Sequence, residues 1–179
     1  DTNFNLPVRS LPAGGQLGEI TVPSVQCQRK LRSGEWQPLY RLYYQSLHWV
    51  TGLVSGPDGS LYYWLVDEWL RVAYLAPASH LRLIPPEEVT PLSPDVPPVG
   101  KRLEVRTAEQ VVIAYEWEQP VFITRAATGA KFSNGNYATP AGRHLTFHKR
   151  PSRHMAAGNL AYNGYDLPGV PWISYFTKS

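Results

Sequence analysis

The chain has 179 residues, of which 43% are hydrophobic and 12% aromatic, so it can bury a core and is not a disordered chain. This length allows one large domain or two small ones. Seventeen Lys and Arg against fourteen Asp and Glu give a net charge of only +3, which does not indicate a nucleic-acid-binding groove, and no nucleic-acid partner is expected.

The first half of the chain is predicted to be a β-domain preceded by an arm. Residues 1–19 carry little hydrophobic pattern and are predicted to form the N-terminal arm. Over 20–86, aromatic and β-branched runs are separated by turn residues, and Asp58-Gly59 marks a hairpin turn. The apolar stretch 61–75 could be a buried helix, but its Tyr, Trp and Val content favours strands. "ASHLRLIPP" then predicts a short helical turn followed by a final strand.

A proline-rich stretch, 87–100, predicts a linker, because proline removes backbone donors and favours stiff extended geometry. After it, Val111, Ile113, Tyr115 and Trp117 share one parity and Glu116 and Glu118 share the other, which predicts a half-buried strand. "QPVFITRAATG" and "RHLTFHKR" are predicted to be further strands. The fold class predicted for the whole chain is therefore mainly all-β. Four tryptophans are interpreted as core residues of these domains: Trp49, Trp64, Trp69 and Trp117.

No metal site, cofactor or hydrolytic triad is predicted. On a strand, His144 and His148 would share a face but lie about 13 Å apart, which is too far for one metal ion. Ser152 lacks the Gly-x-Ser-x-Gly context of an activated serine. Cys27 is the only cysteine, so no internal disulfide is possible. It is interpreted as a small buried hydrophobe rather than a nucleophile. No apolar run is long enough to cross a membrane.

Four motifs occur in a recognisable order after residue 101. They are Gln110, the Thr128-Gly129 turn, the Thr139-Pro140-Ala141-Gly142 turn that leads into a strand, and the segment "RHMAAGNLAYNGYDLPGVPWISYF". In this order they resemble the first half of the YkuD-type catalytic domain of bacterial L,D-transpeptidases. Residues 101–179 are therefore expected to be the N-terminal part of such a domain. Residues 20–86 resemble a bacterial SH3-like β-barrel.

This resemblance implies that a cysteine thiolate attacks a peptidoglycan stem peptide and forms a thioester. The family's catalytic residues are a His-Gly pair and a Ser-His-Gly-Cys loop, and the chain contains neither. No catalytic residue is carried over, Cys27 is not a substitute by position, and this chain by itself is expected to be inactive. The resemblance places Tyr162, Tyr165 and Trp172 on a flap, where they would either face the substrate or pack the flap onto the sheet. Thr139, Pro140 and Gly142 are assigned first to turn geometry near the site.

Two functions remain open from the sequence. The first is part of a secreted peptidoglycan L,D-transpeptidase that lacks its catalytic segment in this chain. The alternative is a non-catalytic cell-wall-binding or envelope-assembly protein built from the same β-domains. Both predict an extracytoplasmic location in the cell wall or periplasm. The expected partners are peptidoglycan stem peptides and, over the open sheet, either a C-terminal segment or another chain.

Overall fold

The computed structural model describes residues 4–67, 70–133, 135–161 and 164–178. The chain divides into two compact units, called here the major unit (1–89 and 145–179) and the minor unit (90–144). Both are built from antiparallel strands and short 3₁₀ turns, which confirms the predicted all-β class. No helix in the described part of the chain is long and apolar enough to span a membrane.

The major unit contains a seven-stranded antiparallel sheet with the order β3-β2-β6-β5-β4-β1-β7. The β4–β5 hairpin turns at Asp58-Gly59 as predicted: the Asp58 carboxylate accepts from Ser60 N (3.1 Å), and Gly59 has φ +77°. The strands are β1 (Gln16–Ile20), β2 (Ser24–Lys30), β3 (Trp36–Tyr43), β4 (Leu47–Ser55), β5 (Leu61–Asp67), β6 (Val72–Pro77) and β7 (Leu81–Leu83).

Strands β5 and β6 confirm the strand interpretation of residues 61–75, with residues 68–69 outside the described part. A 3₁₀ turn at Ala78–His80 leads into β7, also as predicted. The main core packs between strands and includes Ile20, Leu42 and Leu65, all with no exposed surface.

The minor unit contains a three-stranded meander with β9 in the middle. Its strands are β8 (Lys101–Arg106), β9 (Val111–Glu116) and β10 (Gln119–Arg125), followed by the short pair β11 (Lys131–Phe132) and β12 (Gly135–Asn136). Ile113 is buried at the centre of β9, as its alternation predicts. The strand ends before Trp117, which has φ +55° and is 57% exposed, so the prediction of a core tryptophan there was wrong.

A long hairpin, called here the C-terminal hairpin, completes the major unit. It consists of β13 (His148–Ala157) and β14 (Tyr165–Tyr175), paired antiparallel with a bulge between Arg153 and Met155. It contacts β3 and β4, and the Ser152 hydroxyl donates to the Leu47 carbonyl. The strand predicted over "RHLTFHKR" begins only at His148, so the prediction that His144 shares a strand face with His148 was wrong. Pro140 and Gly142 precede an irregular stretch that delays the strand.

The compact units do not follow the predicted domain boundaries of 1–19, 20–86, 87–100 and 101–179. Strand β1 begins at Gln16, inside the predicted arm, and Asn5 N donates to Ser79 O (2.7 Å). The C-terminal hairpin belongs to the same unit as the seven-stranded sheet. The SH3-like and L,D-transpeptidase-like identities of the predicted domains stay predictions.

Candidate functional site

The Gln110 side chain connects two separate turns of the minor unit. Gln110 has φ +56° at the turn between β8 and β9, and its amide Nε2 donates to Thr107 O (2.7 Å). Its Oε1 accepts from Thr128 N (3.0 Å), and its Nε2 also donates to the Thr128 hydroxyl. Thr128 is only 4% exposed, so these bonds satisfy polar groups that have little access to water.

The segment that begins at Thr139 is hydrogen-bonded to Thr128 as well. Thr139 N donates to Thr128 O (2.7 Å), so the Thr-Pro-x-Gly turn begins beside the buried threonine. Gly129 has φ +69°, and a Cβ built on it would lie 2.0 Å from Tyr137 O, so any other residue there would clash with backbone. We call Gln110, Thr128, Gly129 and Thr139 the Thr128 corner. Three segments that are separate in sequence meet at it.

The other three residues of the predicted turn, Pro140, Ala141 and Gly142, are exposed. Pro140 follows Thr139, and its carbonyl lies 3.2 Å from His144 Nε2. Gly142 has φ +124°, in the region that favours glycine. Gly142 lies at a bend, and the turn geometry predicted for Thr139, Pro140 and Gly142 stays a prediction.

The structure describes two of the three predicted substrate-binding aromatic residues, Tyr165 and Trp172, and does not bring these two together. Tyr162 lies outside the described residues, as does Trp69. Tyr165 starts β14 opposite Ala157 and is 47% exposed. Trp172 lies further along β14 and lines a groove of about 700 Å³ in the major unit, a groove that Tyr165 does not line.

The groove brings the C-terminal hairpin beside the seven-stranded sheet. Its lining is mostly apolar and includes Leu17, Trp49, Ile84, Lys149 and Trp172. Trp49 packs on a second, small apolar cluster rather than on the main core, and its indole Nε1 donates to Gly14 O (2.9 Å). The interpretation of Trp49 as a core residue did not predict that it faces this groove. Trp49 and Val50 are neighbours on one strand, so they point to opposite faces, and only one of them can face the main core.

A buried polar network lies elsewhere in the major unit. His48 is fully buried between the Ser46 hydroxyl (2.9 Å) and the Tyr74 hydroxyl (2.7 Å). Burial, with a smaller contribution from the nearby His154, lowers the His48 pKa to about 3. His48 is therefore neutral over the physiological range, and we assign it a structural role.

His154 anchors the C-terminal hairpin rather than forming a triad. Its Nε2 bonds Asp166 on the paired strand, and its Nδ1 lies 3.9 Å from an Asp67 oxygen on β5. Its ring meets Tyr40 edge-on at 4.9 Å. Ser152 donates its hydroxyl to a backbone carbonyl, so it is not presented to an imidazole as a nucleophile would be.

Cys27 is completely buried, and its sulfur accepts a hydrogen bond from Tyr40 N (3.2 Å). Desolvation by burial raises the pKa of its thiol to about 12. A thiol with this pKa is not a thiolate near neutral pH, and no substrate can reach it. Among the described residues, no group of three or more His, Cys, Asp or Glu side chains is placed to hold a metal ion.

Comparisons of the chain with protein-family models, with curated proteins and with solved structures gave no match. The site is therefore interpreted from its own geometry.

Proposed function

We propose that the chain is part of a secreted peptidoglycan L,D-transpeptidase and that it contributes to holding the stem peptide. The observation that supports this most is the Thr128 corner. The resemblance rests on Gln110, Thr128-Gly129 and the Thr139 turn as separate motifs, and hydrogen bonds join all three in one place. A shared structural role would explain why these residue types occur in that order.

The proposed reaction is an acyl transfer between two stem peptides. A thiolate attacks the carbonyl carbon that precedes the terminal D-Ala; the C–N bond breaks, and its nitrogen takes up a proton, so that D-Ala leaves as the free amine. The side-chain amine of a second stem then attacks the thioester, releases one proton and regenerates the thiolate, so that the two steps together consume no proton. Because Cys27 is buried with a raised pKa, we assign the nucleophile to none of these residues. The role proposed for this chain is to bind and orient the substrate.

The charge of the chain is compatible with this partner. Stem peptides carry free carboxylates, and the chain has a formal charge of +3 and a pI near 9.0. A mildly basic protein is attracted to such an anionic matrix. The proposed location is outside the cytoplasm, at the cell wall or in the periplasm.

Two measurements test the proposal. First, purified sacculi should retain the 179-residue chain in a pull-down, without release of D-Ala from tetrapeptide muropeptides. Second, the reading frame beyond Ser179 should encode the His-Gly and Ser-His-Gly-Cys motifs, and the longer protein should release D-Ala. A stop codon directly after Ser179 would exclude the transpeptidase.

The alternative is a non-catalytic wall-binding or envelope-assembly protein, and the inaccessible thiol of Cys27 is the observation that favours it. It predicts the same retention on sacculi together with a stop codon after Ser179.

If the flap faces the stem peptide, Tyr165→Ala should weaken the binding of tetrapeptide muropeptides to the chain. Tyr44→Ala, at a similarly exposed tyrosine beside the seven-stranded sheet, is the matched control.

A further inference from the structure

The groove in the major unit has the size and lining of a ligand-binding site. Its volume of about 700 Å³ lies within the roughly 300–1,000 Å³ typical of small-ligand pockets. Its surface is mostly apolar, and the two indole rings of Trp49 and Trp172 contribute to it. All of the lining residues belong to the major unit.

Trp172 has a backbone conformation that needs an explanation. Its φ is +51°, a region that bulky residues rarely adopt. Its side chain is 55% exposed, so burial within the chain does not compensate for the strain. Strained residues of this kind concentrate at functional sites, where the surrounding structure holds a side chain for use. In this chain, the residue with the unfavourable backbone conformation is the one that places an indole ring at the groove wall.

Trp49 is held in place, because its Nε1 donates to Gly14 O (2.9 Å) and its ring packs on the cluster of Leu17, Leu47 and Ile84. An indole ring held in this way offers a flat apolar face at little cost in conformational entropy, and the exposed ring of Trp172 adds a second apolar face to the groove. The C–H faces of sugar rings stack on such surfaces. An amino-sugar chain is therefore a better match for this groove than a ligand that needs many buried polar contacts.

The charges at the groove indicate the sign of the ligand. Lys149 and Arg150 line it, and none of its described lining residues is an Asp or Glu. They are neighbours on β13, so their side chains leave opposite faces, and the pairing of Lys149 with Ser174 places Lys149 on the face of Trp172. Arg150 donates through Nε to His148 (2.9 Å). A ligand with carboxylates would be complementary to Lys149.

We propose that this groove binds the glycan backbone of the wall polymer, as a chain of amino-sugar rings that carry carboxylates. This proposal rests on the proposed function above, and it names the glycan backbone as the part of the wall polymer that the major unit binds. Trp49 and Trp172 stack on sugar rings, and Lys149 pairs with a carboxylate. Binding the glycan here would keep the chain on the polymer while stem peptides are presented elsewhere.

The test uses the full 179-residue chain and soluble glycan strands from which an amidase has removed the stem peptides. Isothermal titration should show binding, and Trp172→Ala should weaken it by at least about tenfold. Trp172→Phe should recover part of the affinity. Trp117→Ala is the matched control, since Trp117 is 57% exposed with φ +55° but lies in the minor unit. Lys149→Gln should reduce both the affinity and its dependence on salt.

The outcomes separate this proposal from the proposed function. If stem-free glycan binds and Trp172→Ala binds it equally well, with circular dichroism showing that the variant is folded, the groove is not the site. Retention on intact sacculi without binding of stem-free glycan would overturn the groove proposal and leave the proposed function standing. Absence of binding to both would overturn both.

Discussion

The two units of the chain are built from similar strands but differ in how much they bury. Among the described residues, every buried apolar side chain but one lies in the major unit, and the exception is Ile113. The minor unit is connected mainly by the backbone ladders of β8, β9 and β10 and by the Thr128 corner. Aromatic and β-branched patterns therefore indicate strands in both units without indicating which strands are buried.

The minor sheet is amphipathic, with its apolar side exposed. Its register pairs both Leu103 and Phe122 with Ala114, so these three side chains share one face. Leu103 is 66% exposed and Phe122 61%. On the other side of the sheet, Arg102 lies over the Tyr115 ring at 3.7 Å. Polar and aromatic contacts, rather than a core, order this unit.

The largest test of this contrast is a matched pair of leucine truncations. Leu65→Ala should lower the free energy of unfolding by about 2–5 kcal/mol, because Leu65 is completely buried in β5. Leu103→Ala should change it by no more than about 0.5 kcal/mol, since the side chain is mostly in water. Urea denaturation monitored by hydrogen exchange would report each unit separately. Equal costs for the two variants would contradict the contrast.

Acid should destabilise the major unit through His48. Its pKa is about 3 in the folded state and about 6.5 when unfolded, so the unfolded chain binds the proton first. The contribution of neutral His48 to the free energy of unfolding is fully present above pH 6.5 and is lost as the pH falls toward 3. Between pH 7.5 and 5 the loss should be about 2 kcal/mol.

Urea midpoints at the two pH values measure this effect. His48→Asn should be less stable at pH 7.5 but should lose less on acidification. His144→Gln, at an exposed histidine of the minor unit, should keep the wild-type dependence. A stability of the major unit that does not change between pH 7.5 and 5 would show that His48 is not kept neutral by burial.

Local patterns predicted local structure well. The Asp58-Gly59 turn, the strands within 61–75 and the 3₁₀ turn before β7 depend on neighbouring residues and were confirmed. Strand order was not predictable in this way. The pairing of β1 with β7 and of β2 with β6 joins strands that are distant in sequence, and it is decided by packing that no local pattern records.

The candidate sites divide in the same way. The motif order identified Gln110, Thr128 and Thr139 as relevant, but no pattern predicts that an amide 18 residues from Thr128 would bond to it. Trp172 was named from the resemblance, whereas its positive φ and its place in a groove beside Trp49 depend on the register of β14. Both features are tertiary and become visible only in the folded chain.

The Thr128 corner should be the most sensitive point of the minor unit. Thr128→Val keeps the shape but removes the hydroxyl that the Gln110 amide contacts, and should cost about 1–2 kcal/mol locally. Faster hydrogen exchange at Thr139 N, which donates to Thr128 O, would report this loss. Thr124→Val removes an exposed hydroxyl of β10 and is the control. Equal exchange in the two variants would mean that the corner does not order the unit.

The smallest expected effect on stability is at the edge of the minor sheet. Strand β10 pairs only with β9 among the described strands, all seven of its residues are exposed, and Val121, Phe122 and Ile123 follow one another in it. Such an edge offers unpaired backbone groups to another chain. The apparent mass measured by light scattering should therefore rise with concentration.

Phe122→Lys should suppress that rise while changing the free energy of unfolding by no more than about 0.5 kcal/mol. Leu92→Lys places the same charge on an equally apolar, fully exposed residue outside any strand, and should behave as the wild type does. A suppression by both variants would indicate a general effect of charge rather than strand pairing. A wild-type chain that stays monomeric at every concentration would contradict this prediction, and Pro120 and the adjacent bulge would then be the features of β10 that protect the edge.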